Sequence, residues 1–190
     1  MFQVSQPAFV SEAPPSGDDP LDPLRRELGA LSIELSHLET YLGCAVGYLA
    51  NSAEPRIGHI LVAPLSLRAR ADTFSALYPE RVTEQETHEQ LRAFRSELQQ
   101  AEEARNTLIH SLYWPGAVGA TMATRIKTTA KAKHGLKLQF EYLTPEFVAE
   151  KTTALKALTN ALDDLMLPHF GDFSNYTALF YGFFAPENAA

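Results

Sequence analysis

The feature that most restricts how this chain can fold is a leucine repeat near its start. Leucines recur three or four residues apart in a run that continues to Leu49 (Leu24, Leu28, Leu31, Leu35, Leu38 and Leu42). Such steps keep side chains on one face of an α-helix, so the run predicts a long amphipathic helix that ends near Asn51. Asp22 followed by Pro23 supplies a capping acceptor and a preset backbone angle at its start.

The rest of the chain predicts three more helices. A short helix over 66–78 precedes a central helix, which opens at a capping-box pattern of Thr83 and Glu86 and runs to about Trp114. A last long helix starts at Thr144-Pro145, turns Phe147 inward and ends before Pro168. Residues 57–63 form a short apolar passage, which the sequence leaves open between a strand and a buried connector.

The periodicity changes to two over about 121–142. Apolar residues and threonines alternate there with Arg125 and several lysines, which predicts a two-stranded hairpin with one apolar and one mainly basic face. Six basic residues and no Asp or Glu lie between Ala104 and Phe140, although the net charge of the chain is −7. This island suits a local anionic ligand, or it is only a solvated face. The RNA-binding candidates are Arg125, Lys127, Lys131, Lys133 and Lys137. Trp114 is a candidate for stacking a base, although such a residue more often seals a helix end against the core.

These elements predict a mostly α fold, a four-helix up-and-down bundle with a β-hairpin inserted before the last long helix. Residues 1–21 are rich in proline and predict a mobile arm. The helical domain would span residues 22–168, with its hairpin at about 121–142. Residues 169–190 form an aromatic-rich tail, which we expect to pack on its own body or on a partner.

Composition excludes several classes of protein. No apolar run approaches the roughly 18 residues that span a membrane, so we expect no membrane association. The single cysteine, Cys44, lies in an apolar helical pattern, which predicts a small buried apolar residue. One cysteine can form no disulfide within the chain, so the cytoplasm is the simplest compartment. The histidines lack metal-ligand spacing and no glycine-rich phosphate loop follows a strand, so we expect no metal and no cofactor.

The chemistry is concentrated late in the central helix, at Arg105, Asn106 and His110. Arg105 continues the apolar stripe between Ala101 and Leu108, so we expect it in the packed seam, where an unpaired guanidinium costs several kcal/mol. Histidine can exchange a proton with a ribose 2′-hydroxyl or a leaving oxygen near neutral pH. Arginine can hold a phosphate and the charge of the transition state, and an asparagine four residues before a histidine can orient the imidazole.

The spacing of the two catalytic candidates bears on assembly. Arg105 and His110 are five residues apart, which places them about 140° apart around the axis of one helix. One helix therefore does not easily aim both side chains at one phosphate. Two copies of the helix that meet across a two-fold axis could each supply half of a shared cleft.

The segment Arg105-Asn106-Thr107-Leu108-Ile109-His110 resembles the R-N-x-x-x-H form of the R-x4-6-H motif of the HEPN superfamily. The motif falls late in the penultimate long helix, and the resemblance extends over roughly residues 22–168. It implies a helical bundle that forms a homodimer with the motif at the interface. In many members it implies a metal-independent endoribonuclease, which leaves a 2′,3′-cyclic phosphate and a 5′-hydroxyl.

On this chain the resemblance implies Arg105 and His110 as the catalytic pair, Asn106 as a supporting polar residue of the site and Glu103 as a weaker supporting residue. It also implies RNA as the substrate, and a toxin–antitoxin or anti-phage setting with an antitoxin or other protein partner. The hairpin before the last helix is an elaboration that the superfamily does not require.

Three alternatives stay open at this point. The first is a non-catalytic HEPN-like domain that binds RNA, a nucleotide or a protein partner. The second is an interaction module that docks a partner through its aromatic tail (170–184). The third is that Arg105 forms a core ion pair with Glu102 or Glu103, which would make the motif purely structural.

Overall fold

A computed structural model of the protein describes residues 19–50, 54–115, 123–131 and 135–182, with only the backbone at 114, 115, 123, 127–131 and 135–140. Within these residues the fold is mostly helical, with one small antiparallel sheet. The helices are α1 (Asp22–Leu49), α2 (Pro55–Val62), α3 (Leu67–Leu77), α4 (Gln85–Ile109), α5 (Pro145–Met166) and α6 (Phe173–Gly182). The strands are β1 (Leu112–Pro115), β2 (Ala123–Lys131) and β3 (Gly135–Leu143), and a 3-10 turn, Tyr78–Glu80, follows α3.

Helix α1 is the axis of the core, because α2, α3, α5 and α6 all pack against it. Its leucine stripe is buried as the spacing predicted, with Leu38 and Leu42 inaccessible to solvent, except that Leu28 is only partly buried. The helix begins at Asp22, but Asp22 itself does not cap it. Instead, the carboxylate of Asp19 accepts a hydrogen bond from the Leu21 amide at 2.9 Å.

Helix α5 lies along α1 and buries a matching stripe. Thr144 caps it by accepting a hydrogen bond from the Phe147 amide at 3.3 Å, and Leu155, Leu158 and Leu162 are buried. Phe147 itself was expected inside but is 43% exposed, whereas its neighbour Val148 is fully buried. The buried stripe therefore starts one residue later than predicted.

Helix α4 differs from its prediction at both ends. It begins at Gln85 with Glu84 at the cap position and no side-chain cap, so Thr83 lies outside the helix and forms no capping box. It ends at Ile109 instead of near Trp114, because Leu112–Pro115 leave the helix and pair with β2 as strand β1. The predicted hairpin is thus the second half of a three-stranded sheet in the order β1-β2-β3.

Two open questions from the sequence are answered by the fold. The apolar passage at 57–63 belongs to helix α2 and is neither a strand nor a loop. The aromatic tail, as far as residue 182, packs on its own body. Phe173, Tyr176 and Phe180 are buried in α6, which contacts α1 and α2.

Polar pairs also fasten α1 to the last two helices. The hydroxyls of Tyr41 and Tyr48 donate to the carboxylates of Asp163 and Asp172. The predicted mobile arm lies outside the described residues up to position 18, and so do Phe183 and Phe184. No described helix is both long and apolar enough to cross a membrane.

Candidate functional site

The predicted site residues lie at the carboxyl end of α4, where the chain turns into β1. His110 follows the last helical residue and has φ −99° and ψ 29°, so it occupies the helix cap and not the helix interior. His110 and the preceding Ile109 are both exposed. The imidazole therefore stands at an open helix end that solvent or a ligand can reach.

Arg105 lies one and a half turns earlier and is only half-buried. Its Nη1 donates a hydrogen bond to Oδ1 of Asn106 at 3.2 Å. The described ion pairs do not include one between Arg105 and Glu102 or Glu103. The expectation that Arg105 lies in the packed seam is therefore not met: its side chain stays partly accessible, although Leu108, the next residue of the stripe, is 2% exposed.

Asn106 and Glu103 are exposed on the side of α4 that faces α3. Both line a groove of about 180 Å³ between these helices, together with Arg68 and Glu102. Glu103 accepts a hydrogen bond from Nε2 of Gln99 at 3.2 Å. The structure thus brings Arg105 and Asn106 together directly and places Glu103 one turn before Asn106. Within the part of the chain that the structure describes, no hydrogen bond or ion pair joins these residues to His110.

Arg125 does not lie on an open basic face. Its side chain is 3% exposed, and its Nη2 lies 2.5 Å from Oε2 of Glu141 on the neighbouring strand. Its Nη1 donates to the Thr107 carbonyl at 3.2 Å and contacts Oγ of Ser111 at 3.3 Å. The prediction that Arg125 contacts an RNA backbone is therefore wrong, because its guanidinium is buried and bonds to the end of α4 and to Glu141.

The sheet turns the faces of the predicted hairpin around. Arg125 and Leu143 are buried towards the helices, whereas Leu112 is 62% and Tyr142 is 74% exposed. The alternation of residues in the hairpin identified its two faces, but it did not show which face packs against the helices. Lys127, Lys131, Lys137 and Trp114 belong to strands described by their backbone alone, and Lys133 lies outside the described residues, so their role as RNA contacts stays a prediction.

Besides Arg125, the structure buries a second cation of the kind that the sequence predicted at Arg105: Arg70 on α3, which is 7% exposed. Its guanidinium donates to the carbonyls of Glu39 at 2.7 Å, Leu65 at 3.1 Å and Ala63 at 3.5 Å. Two of these carbonyls follow the end of α2, where a positive charge is favoured. Arg70 was detectable, because it continues the apolar spacing between Leu67 and Phe74 in the same way that Arg105 continues its own stripe.

Comparisons with known proteins provide no information about this site. No protein-family model, no curated protein and no solved structure matches the chain. Among the described residues, no group of three or more His, Cys, Asp and Glu side chains is arranged to hold a metal ion.

Proposed function

We propose that the protein is a metal-independent endoribonuclease with a HEPN-like fold, and that Arg105, Asn106 and His110 form its site. The main support for this proposal is the hydrogen bonding of the Arg105 guanidinium. Its guanidinium donates to an amide, and among the described residues no carboxylate forms an ion pair with it, which leaves its positive charge available for an anionic ligand. An exposed histidine five residues later supplies an imidazole that can act as a general base or acid.

The reaction assigned to these groups is an internal transfer at phosphorus. His110 removes the proton from a ribose 2′-hydroxyl, and the 2′-oxygen attacks the adjacent phosphorus. The bond from phosphorus to the 5′-oxygen breaks, and that oxygen takes up a proton as it leaves. The products are a 2′,3′-cyclic phosphate and a 5′-hydroxyl, and no water is consumed.

Arg105 would bind the non-bridging oxygens of the phosphate, where negative charge increases in the transition state. Asn106 supports it, because its amide oxygen already accepts a hydrogen bond from the guanidinium. Glu103 lies one turn earlier on the exposed face and is the weaker supporting residue. Because Arg105 and His110 are about 140° apart around the helix, we infer that a homodimer combines Arg105 of one copy with His110 of the other.

The test is cleavage of single-stranded RNA in excess chelator, followed by identification of the product ends. We expect cyclic phosphate and 5′-hydroxyl ends from the unmodified protein, and a loss of about 100-fold or more in His110→Ala and Arg105→Ala. Loss of cleavage on adding chelator, or undiminished cleavage by both variants, would contradict the proposal.

Mixing the two inactive variants tests the shared site separately. A mixed dimer of Arg105→Ala and His110→Ala retains one intact pair if the pair is formed across the interface. We therefore expect mixing and subunit exchange to restore part of the activity. Full activity of a strictly monomeric sample would leave the ribonuclease proposal intact but reject the dimer.

A non-catalytic HEPN-like domain that binds RNA, a nucleotide or a protein partner is the second candidate. Leu112 and Tyr142 are exposed on the outer face of the sheet, and this favours a protein partner, because large apolar side chains at a surface are typical of binding sites. An antitoxin or another regulator in a defence system would be such a partner. RNA binding without turnover, unchanged in His110→Ala, would favour this candidate.

A further inference from the structure

The end of α4 has carbonyl groups that the helix cannot satisfy by itself, and the sheet supplies their partners. The hydroxyl of Tyr113 on β1 donates to the Leu108 carbonyl at 2.6 Å. Arg125 on β2 donates to the Thr107 carbonyl at 3.2 Å. The Ser111 hydroxyl donates to the same Thr107 carbonyl at 2.5 Å. The last turn of α4 is therefore held by hydrogen bonds from the two strands that pack against it.

The Arg125 contacts are distributed on both sides of His110. Thr107 lies three residues before the histidine and Ser111 one residue after it, and Nη1 of Arg125 bonds to both. The other end of the guanidinium is fixed by Glu141 at 2.5 Å. One rigid, planar group thus joins the helical turn before His110 to Ser111, the residue between His110 and β1, and to Glu141 on β3.

Burying the charge of Arg125 costs free energy, and the partners of its hydrogen bonds indicate which part of the structure the buried side chain orders. A charge removed from water loses several kcal/mol of hydration, which its partners must offset. Every described hydrogen bond of this guanidinium goes either to the turn around His110 or to Glu141. Because Glu141 is 57% exposed, the ion pair is partly screened by water and is a weak source of stability.

We propose that Arg125 is a positioning residue for His110, an inference that rests on the proposed ribonuclease function. The guanidinium holds the junction between α4 and β1 in one conformation and so fixes the direction from which the imidazole leaves the backbone. It does not contact RNA. Without it, the last turn of α4 would fray and the imidazole would sample several positions relative to the phosphate.

The variant that tests the inference is Arg125→Gln, which removes the charge and the fork but remains polar. We expect kcat for RNA cleavage to fall by about 10- to 100-fold with KM changed less than about twofold, because misplacing a catalytic group by about 1 Å costs about that much rate. Arg125→Lys keeps the charge without the planar fork, so we expect it to restore only part of kcat. A wild-type kcat in Arg125→Gln would overturn the inference.

A matched control separates positioning from general stability. Val148 is fully buried in α5 and its side chain makes none of the hydrogen bonds around His110, so Val148→Ala weakens the fold and leaves those hydrogen bonds in place. We expect this control to keep its kcat under conditions where both variants are folded. If Val148→Ala loses kcat as Arg125→Gln does, Arg125 acts only through stability. If Arg125→Gln does not fold, Ser111→Ala carries the test, because it removes one partner of Arg125 and one donor to Thr107.

A second readout does not depend on cleavage. The imidazole proton resonances of His110 report whether its side chain occupies one environment. We expect a single sharp set in the unmodified protein, and broadened or multiple signals in Arg125→Gln and Ser111→Ala but not in Val148→Ala. If the unmodified protein does not cleave RNA, the proposed function fails while this spectrum still decides the role of Arg125. Unchanged His110 resonances in both junction variants would overturn the inference.

Discussion

Two regions of the molecule differ in how far their side chains are buried: the seam between α1 and α5, and the end of α4. In the seam, Leu38 and Leu162 are completely buried, and the hydroxyl of Tyr41 at its edge pairs with Asp163 on the facing helix. At the end of α4, Arg105 is half-buried and His110 is exposed. The seam is held together by burial, whereas the helix end keeps polar groups accessible. Removing a group should therefore cost stability in the first region and activity in the second.

The largest effect that sharpens this comparison is expected at Leu162. Truncation in Leu162→Ala leaves a cavity between α1 and α5, and we expect the free energy of unfolding to fall by about 2–5 kcal/mol. Urea denaturation at neutral pH measures it. Leu112→Ala is the matched control, because Leu112 is 62% exposed and its loss should change stability by less than about 0.5 kcal/mol. Equal losses in the two variants would remove the distinction between core and surface leucines.

The two arginines provide the next comparison. Arg70 donates to three backbone carbonyls, so Arg70→Met leaves these groups without their donor, and we expect a loss of about 2–3 kcal/mol in the free energy of unfolding. Arg105→Met should change it by less than about 0.5 kcal/mol, because Arg105 is half-buried and its one hydrogen bond within the described residues is to a neighbouring amide. Denaturant titration of both variants checks this. A larger loss at Arg105 would revive a structural role for the motif.

The smallest effect concerns Tyr78, whose buried hydroxyl donates to the Leu165 carbonyl at 2.7 Å. Burial raises the pKa of Tyr78 to about 12 from 10.0. Between these values the folded chain retains a proton that the unfolded chain has released, so this residue's stabilising contribution falls as pH rises from about 10 to 12.

Tyr78→Phe should cost about 1 kcal/mol at neutral pH, because one hydrogen bond is lost. Its stability should also fall less steeply than that of the unmodified protein above pH 10. Unfolding curves measured at pH 9 and pH 11 give the two slopes. Parallel pH dependences would show that the Tyr78 hydroxyl is not protected in the folded protein.

The same comparison explains what the sequence could predict. Stripes of leucine at helical spacing identified α1 and α5, because burial of one helix face leaves a periodic pattern in the chain itself. Thr144-Pro145 likewise identified the start of α5. In both cases, the information lies within a few turns of one helix.

The end of α4 could not be predicted in this way because distant residues determine it. Leu112 continues the helical spacing but pairs with Ile126 across the sheet, and that pairing ends the helix. Alternation in β2 does not show which face meets the body, so Arg125 was assigned to the wrong side. Arg70 and Arg105 both continue the apolar spacing of their helices. What distinguishes Arg70 is that carbonyls of α1 and of the end of α2 accept hydrogen bonds from its guanidinium. The sequence therefore identified the motif residues but could not predict their structural environment.

The central claim is that the end of α4 serves catalysis and not stability, and His110→Ala tests it most directly. RNA cleavage in excess chelator and the free energy of unfolding would be measured on the same preparation of this variant. We predict that cleavage falls by about 100-fold or more while stability changes by less than about 0.5 kcal/mol. A variant that still cleaves at the original rate, or one that loses both stability and cleavage together, would contradict the claim.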